Sequence, residues 1–473
     1  MINFPEFRRF IFLAGILFFP FLIVALLPGR LYPTRYENAL ALIQAGEKHQ
    51  EMAEQLTGIL TFQEIYPGQC TVSSRLGSLY TTAGDIPGAI LQYQTAKEYG
   101  CLEEEGMLAL FSLQQLQGVK DTAATEMENW LALNPKSSSS PYQLLINQYE
   151  ENRDLEQAAE LAKQWVDRQP ENPSALAEAL HYAALMSSEE RMRYALLSQN
   201  SSFKLSDVEN QIAQAIVQAE GESEDVAQYR LGNAYSNIQE WELAERCFRK
   251  SLELEPDRAE GWAYLAITLK NQAKDSSTAL AETMKRAGDS DIVRSLLGLY
   301  WRDTDPEIAY VYWMKLAANQ PDVAEWLIEA GSSLAQAGDI QSAADLFERS
   351  ISAAPEKLEI RAAYARFCLM YEYDIAGTGL EQTRAIIRLA PGDAEGYLLE
   401  GQMLLHKGDL VTAERMLLQA NNRVKESPAV YYYLGLVYQQ RQDTAQARYY
   451  LEQVTRMDDP TYARAATRLL QMP

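Results

Sequence analysis

Histidine and cysteine are the scarcest of the residues that carry chemistry: three His and four Cys in 473 positions. That is thin for a metal enzyme. His49, His181 and His406 fall in three separate regions, and each reads as a surface or packing residue, not a ligand or a base. The zinc patterns HExxH and paired CxxC are missing, so nothing gathers imidazoles or thiolates at coordination spacing. GxxxxGKS/T and GxGxxG are missing too, which removes the loops that cradle phosphates through backbone N–H groups. Positive charge is also short: 42 Lys and Arg face 65 Asp and Glu, a net charge of −23. A surface of that sign argues against nucleic acid, which needs a basic face to neutralise phosphate. Glu103-Glu104-Glu105 is a carboxylate run, read most simply as a solvated turn. No catalytic residue, metal ligand, cofactor or small-molecule substrate is expected, and the chain reads as a non-enzyme. Its length is too great for one core and predicts several domains or a repeat array.

What the chain does have begins with one long apolar run. Phe10 to Leu27 holds 18 residues without a charge, flanked by Arg8 and Arg9 before and Arg30 and Arg35 after. At about 1.5 Å per residue it nearly spans a bilayer core. Pro20 would kink the helix and is tolerated in such a segment. The alternative is a cleaved signal peptide, with a shorter apolar region and a small-x-small cleavage site. Val24-Ala25-Leu26-Leu27-Pro28 offers no good site, and no cysteine follows for a lipid. The expectation is a tail at 1–9 and an uncleaved, single-pass transmembrane helix at 10–28. The arginine pairs on the two sides pull in opposite directions. A short two-arginine tail ahead of one apolar run behaves as a signal anchor, which places the large domain outside the cytoplasm. Cys70 and Cys101 bracket one helical hairpin and either pair there, which needs an oxidising compartment, or stay independent thiols. Cys247 and Cys368 fall on apolar faces and read as buried small hydrophobes.

The pattern the rest of the chain copies is Tyr229 to Pro256. At helical spacing it is two amphipathic helices joined by a polar turn. Leu231, Gly232 and Tyr235 mark a face of the first; Ala244, Phe248 and Ser251 mark a face of the second. Pro256 ends the unit, because proline cannot continue a helix. Two closely crossing helices need a small residue at Gly232 and Ala244, and Phe248 fills the space beside it. These residues resemble the tetratricopeptide repeat. The same places are filled by Leu76-Gly77, Tyr80, Ala89 and Tyr93; by Leu297, Gly298, Trp301, Ala309 and Trp313; by Ala330-Gly331, Ala343, Phe347 and Pro355; and by Leu434-Gly435, Tyr438 and Ala447. One unit, 356–391, carries about two extra residues in its turn near Tyr371 to Ala376, against a period of about 34.

The resemblance implies an all-α fold, an α-solenoid of stacked antiparallel helix pairs wound as a right-handed superhelix. The expected order is an atypical capping helix pair at 36–66, repeats at 70–172, a divergent helical hinge at 173–224, repeats at 225–459 and a capping helix at 460–473. Within the hinge, Ala175 to Met186 is predicted as one helix, and Ser206 with Glu209 as a capping box opening 206–219. The family's groove is lined by the first helix of each pair, which carries over to Ser74, Ser78 and Thr81, to Gln143, Asn147 and Glu150, and to Ile328, Ser332 and Ala335. The binding candidates are Tyr229, Asn233 and Ser236 in the central unit, Gln402 between Leu398 and Leu405, and Tyr432, Leu436 and Gln439 near the end. Asn233 and Asn237 echo a subclass that takes chaperone tails, but the lysines of that set are missing. Tyr431-Tyr432-Tyr433 is either packing with Tyr432 exposed, or an aromatic platform for a partner. The resulting expectation is a membrane-anchored scaffold for proteins or peptides, in an envelope assembly. A glycan-binding or polysaccharide-export accessory role is the alternative, resting on groove hydroxyls and tyrosines.

Overall fold

A computed structural model describes Thr57, Ile59, Thr61 and residues 70–200, 205–457 and 459–471; the side chains of Cys70, Thr71 and Asn200 are outside that description. The apolar run at 10–28 and most of the pair at 36–66 therefore lie outside the described residues. Among the described residues every regular element is helical. The chain divides into two compact units between Glu220 and Gly221.

The first unit contains α1 (Cys70–Ala83), α2 (Ile86–Glu98), α3 (Glu104–Leu116), α4 (Lys120–Leu133), α5 (Ser139–Glu151), α6 (Leu155–Arg168), α7 (Pro173–His181), α8 (Ser188–Asn200) and α9 (Asp207–Gln218). The signature places are its core: Leu76, Ala89, Tyr93, Leu110, Ala123, Leu145, Ala158 and Trp165 are buried. Ile59 packs on Val72 and Leu76, so apolar surface ahead of α1 is covered. Ser138 caps α5, its Oγ accepting from Ser140 N–H at 3.2 Å, which makes the serine run at 137–140 a helix start.

The stretch 175–186 departs from expectation. α7 stops at His181, and Ala183–Leu185 is a single 3-10 turn. The cause lies just downstream. Ser187 N–H donates to Glu190 Oε2 (3.0 Å) and Glu190 N–H to Ser187 Oγ (3.3 Å), a reciprocal capping box that sets the start of α8. Met186 must be extended to enter it (ψ 159°), so the preceding helix cannot run through. At Ser206 the cap is simpler. Its Oγ accepts from Val208 N–H at 3.2 Å and donates to the Glu209 carboxylate.

The second unit contains α10 (Glu224–Asn237), α11 (Trp241–Leu254), α12 (Ala259–Asn271), α13 (Ser277–Arg286), α14 (Asp291–Trp301), α15 (Pro306–Asn319), α16 (Glu325–Gln336), α17 (Ile340–Ala353), α18 (Leu358–Met370), α19 (Leu380–Leu389), α20 (Glu395–His406), α21 (Leu410–Arg423), α22 (Pro428–Gln440), α23 (Thr444–Val454) and α24 (Pro460–Gln471). Helices pack on their sequence neighbours, as a stack of small bricks requires. At the short α13, α12 also reaches past it to pack directly on α14. The extra residues near 371–376 form a π-turn, Ile375–Gly379, entered through Asp374 in the left-handed region.

The turn inside a hairpin has its own rule. Its last residue is left-handed: φ is +78° at Gly118 and Gly408, and +60° and +61° at Arg153 and Gln442. In many hairpins an Asp follows and caps the second helix. Asp154, Asp339, Asp409 and Asp443 each accept from the amide three residues on, at 3.1–3.3 Å. Each such cap is worth about 0.5–2 kcal/mol.

The helix crossing explains the small residue. A Cβ added at Gly232 would stand 2.7 Å from the Phe248 ring; at Gly298, 2.6 Å from the Trp313 indole. Phe248 is fully buried and stacked on Tyr264 at 5.3 Å, so it has nowhere to move. Gly232→Ala is expected to destabilise the second unit by about 1–2 kcal/mol, the scale of overpacking. Urea unfolding read by circular dichroism measures it, and an unchanged midpoint would contradict the close crossing.

Candidate functional site

The first helices of successive hairpins form one layer of each unit. In the second unit α18 touches α20, α20 touches α22, and α22 touches α24. Between them lies an open cavity of about 730 Å³. Its floor is α20: Glu395, Leu398, Gln402, Leu405 and His406 all line it. These fall at intervals of three, four, three and one residues, a continuous stripe on one helical face. α18 supplies Arg366, Leu369 and Met370; α22 and α24 supply Tyr433, Gln440 and Tyr462.

The walls are largely apolar. Met370 is 73% exposed, a large thioether held open to water. The charged pair at one end is self-satisfied, because Arg366 Nη2 donates to Glu395 Oε1. Burial pushes the Tyr433 hydroxyl up to about 12 and raises that of Tyr462. Tyr432 lies edge-on to Tyr433 and 5.4 Å from Tyr462, centroid to centroid. Tyr431 packs edge-on to Tyr450 at 5.5 Å. All three tyrosines of the run are half-buried.

The structure thus brings Gln402 together with Leu398 and Leu405 at the cavity floor. From α22 it is Tyr433 and Gln440 that enter, the neighbours of Tyr432 and Gln439; Leu436 is half-buried on the same helix. Tyr229, Asn233 and Ser236 form a separate set on α10. Tyr229 is held between Phe248 (6.2 Å) and Tyr264 (5.7 Å), with the Arg258 guanidinium 5.2 Å over its ring. Burial raises its hydroxyl pKa. Asn233 Oδ1 and Ser236 Oγ are buried atoms without a hydrogen-bond partner among the described residues.

Sequence reasoning missed Arg366, Met370, Glu395, His406 and Tyr462. A signal for part of this set existed. Arg366 and Leu369 stand 36 residues before Gln402 and Leu405, the same register offset by the π-turn. The first unit has a smaller cavity of about 520 Å³ between α3 and α5, lined among others by Ser112, Leu116, Leu144 and Asn147. There Gln148 donates to the Lys120 carbonyl at 2.8 Å, and the Lys120 amine pairs with Glu151 at 3.2 Å. Among the described residues no group of three His, Cys, Asp or Glu could hold a metal ion. Cys247 and Cys368 are free and buried, and burial pushes the Cys368 thiol up to about 12. Cys101 is disulfide-bonded.

Three segments match family models described as tetratricopeptide repeat: residues 226–258, 299–357 and 429–457. No curated protein matches the chain. Solved structures similar to it include yeast Tom70, at 15% identity and a TM-score of 0.42, covering 92% of this chain and 96% of that one. PilW, titled a widely conserved type IV pilus biogenesis factor, gives 16% identity, a TM-score of 0.37 and coverage of 44% and 96%. YrrB, titled a protein of this repeat class with an unusual peptide-binding site, gives 17%, 0.29, and 47% and 97%.

Proposed function

We propose, from the premise that this chain is a tetratricopeptide-repeat protein, that it is a membrane-anchored scaffold holding proteins of an envelope assembly near the bilayer. The observation that carries the reading is the α18–α24 cavity: an open, leucine-floored surface built on four packed helices. Its walls are set before any partner arrives, which lowers the ordering cost of binding a peptide segment. The apolar run at 10–28 supplies the anchor. The large domain lies outside the cytoplasm, and the disulfide at Cys101 supports that side, since such bonds persist in oxidising compartments.

Cross-linking in intact cells, followed by mass spectrometry, tests the scaffold. Defined proteins are expected to link to residues around α18, α20 and α22. Loss of those links in a Leu398→Lys chain that still folds supports the site; recovery of no protein, or links indifferent to the change, overturns it. The compartment has its own test. Peptide mapping without reductant, on protein from its native membrane, is expected to return the Cys101 peptide covalently joined to the Cys70 peptide. Free thiols at both positions would count against an extracytoplasmic domain.

A further inference from the structure

The cavity can be read further than the word scaffold allows. Its floor is one helix presenting a row from Glu395 to His406, about 16 Å at the helical rise. The middle of the row is apolar, Leu398 and Leu405 with Gln402 between them, and Leu369 and Met370 extend it sideways. All four bounding elements are helices, so their backbone N–H and C=O groups are already paired within them. This decides what conformation an occupant can bring.

An extended segment of the same length would have about five residues. It would carry roughly ten backbone polar groups onto leucine walls with no sheet edge to meet them. The side chains free to answer are the Gln402 and Gln440 amides and the Tyr433 and Tyr462 hydroxyls, too few for that number. An unpaired buried amide costs about 1–3 kcal/mol, so most of a strand's backbone would bind at a loss. A helix arrives with its backbone satisfied and offers only side chains. About three turns match the floor, with apolar residues at i, i+3, i+4 and i+7 facing α20.

Charge selects the other face. Arg366 is answered by Glu395, so the cavity presents no unanswered carboxylate or guanidinium to the buried side of an occupant. The chain as a whole carries −23, and a field of that sign draws in a segment whose solvent face is basic and repels an acidic one. We infer that the partner element held between α18 and α24 is a three-turn amphipathic helix, apolar toward α20 and basic toward water. This rests on the scaffold reading and names the chemistry of its ligand.

The probe is a fluorescein-labelled 14-residue peptide with leucine at i, i+3, i+4, i+7 and i+8 and lysine or glutamine elsewhere. Binding is read by anisotropy to the full chain in zwitterionic nanodiscs, with empty nanodiscs as the blank. Saturable binding is expected. It should weaken at least tenfold for a scrambled order, for a central proline and for glutamate in place of lysine. Met370→Lys, at an exposed position that cannot disturb the core, is expected to weaken binding about tenfold. Leu398→Lys, checked for folding by circular dichroism, should weaken it as much. Leu116→Lys in the first unit should change nothing. Equal binding of the scrambled or proline peptides removes the helix; equal binding of the glutamate peptide removes the charge rule. No binding of any peptide overturns the inference, while cross-links to whole proteins at α18–α22 would leave the scaffold standing.

Discussion

Trp165→Ala is expected to destabilise the first unit by about 3–5 kcal/mol, the usual cost of deleting a large core aromatic. The indole is fully buried and lies flat on Tyr142, with centroids 4.7 Å apart and planes 1° from parallel. That stack ties α6 to α5. The end of α6 in turn ties the hairpin to its neighbours. Gln169 Nε2 donates to the carbonyls of Pro135 and Ser137 at 3.1 and 2.9 Å, and Asn172 caps α7 through Ser174 N–H at 3.0 Å. In a stack each brick is held by the bricks beside it, so a void in one lowers the protection of both. Hydrogen exchange should therefore rise across α5, α6 and α7 together, not at α6 alone. Leu133→Ala serves as the comparison: that side chain is 82% exposed, and its loss should stay within about 0.5 kcal/mol. A cost below about 1 kcal/mol for Trp165→Ala, or exchange confined to α6, would mean that the stack is not what joins the hairpins.

How much of this was legible in the residues depends on what repeats. Gly232 with Phe248, and Gly298 with Trp313, announce a helix crossing because the small residue and the aromatic recur at a fixed interval. Each pair meets in the structure as the interval implies. The Asp caps at 154, 339, 409 and 443 recur just as regularly. They went unread because the residue before them varies, Gly in some turns and Arg or Gln in others, and the left-handed backbone those turns share has no fixed side chain. The break after His181 was hidden for a different reason. Apolar spacing continues through Ala183 to Met186, while the capping box that forbids a helix there sits after it, at Ser187 and Glu190. At the cavity the π-turn shifts α18 by two residues, so Arg366 and Met370 drop out of a search at constant period. Tyr462 belongs to the closing helix, whose ring lies over Tyr432 and Tyr433. Which tyrosine of a run faces the cavity is decided by that last helix, and no periodicity carries the information.

Glu178→Gln is expected to stabilise the first unit by about 2 kcal/mol at pH 8 and to do nothing near pH 4.5. Glu178 sits on α7, half-buried, and its carboxyl is pushed up to about 7, first by burial and then by the like charges of Glu150 on α5 and Glu209 on α9. Glu150 is itself committed, accepting from the Tyr182 hydroxyl at 2.5 Å, so it cannot turn away. The sign follows from which state holds the proton. An unfolded chain releases it near pH 4.5, the folded unit near 7. Between those values folding takes up a proton, and stability falls as pH rises; above 7 the whole penalty is present. Glutamine keeps the shape and never ionises, so the wild-type and variant curves should meet in acid and part above about pH 6. Glu190 works in the opposite sense and in a different range. The hydrogen bond from Lys163 holds its carboxyl down at about 2, so its contribution is present above 4.5 and fades as pH falls toward 2. Urea midpoints at pH 4.5, 6 and 8 separate the two. If Glu178→Gln shifts the midpoint equally at all three, the effect is packing and the three carboxylates do not oppose one another. If it shifts it only at pH 8, the stretch where the repeat pattern lapses carries a built-in penalty at neutral pH, and α7 is where the first unit is most easily opened.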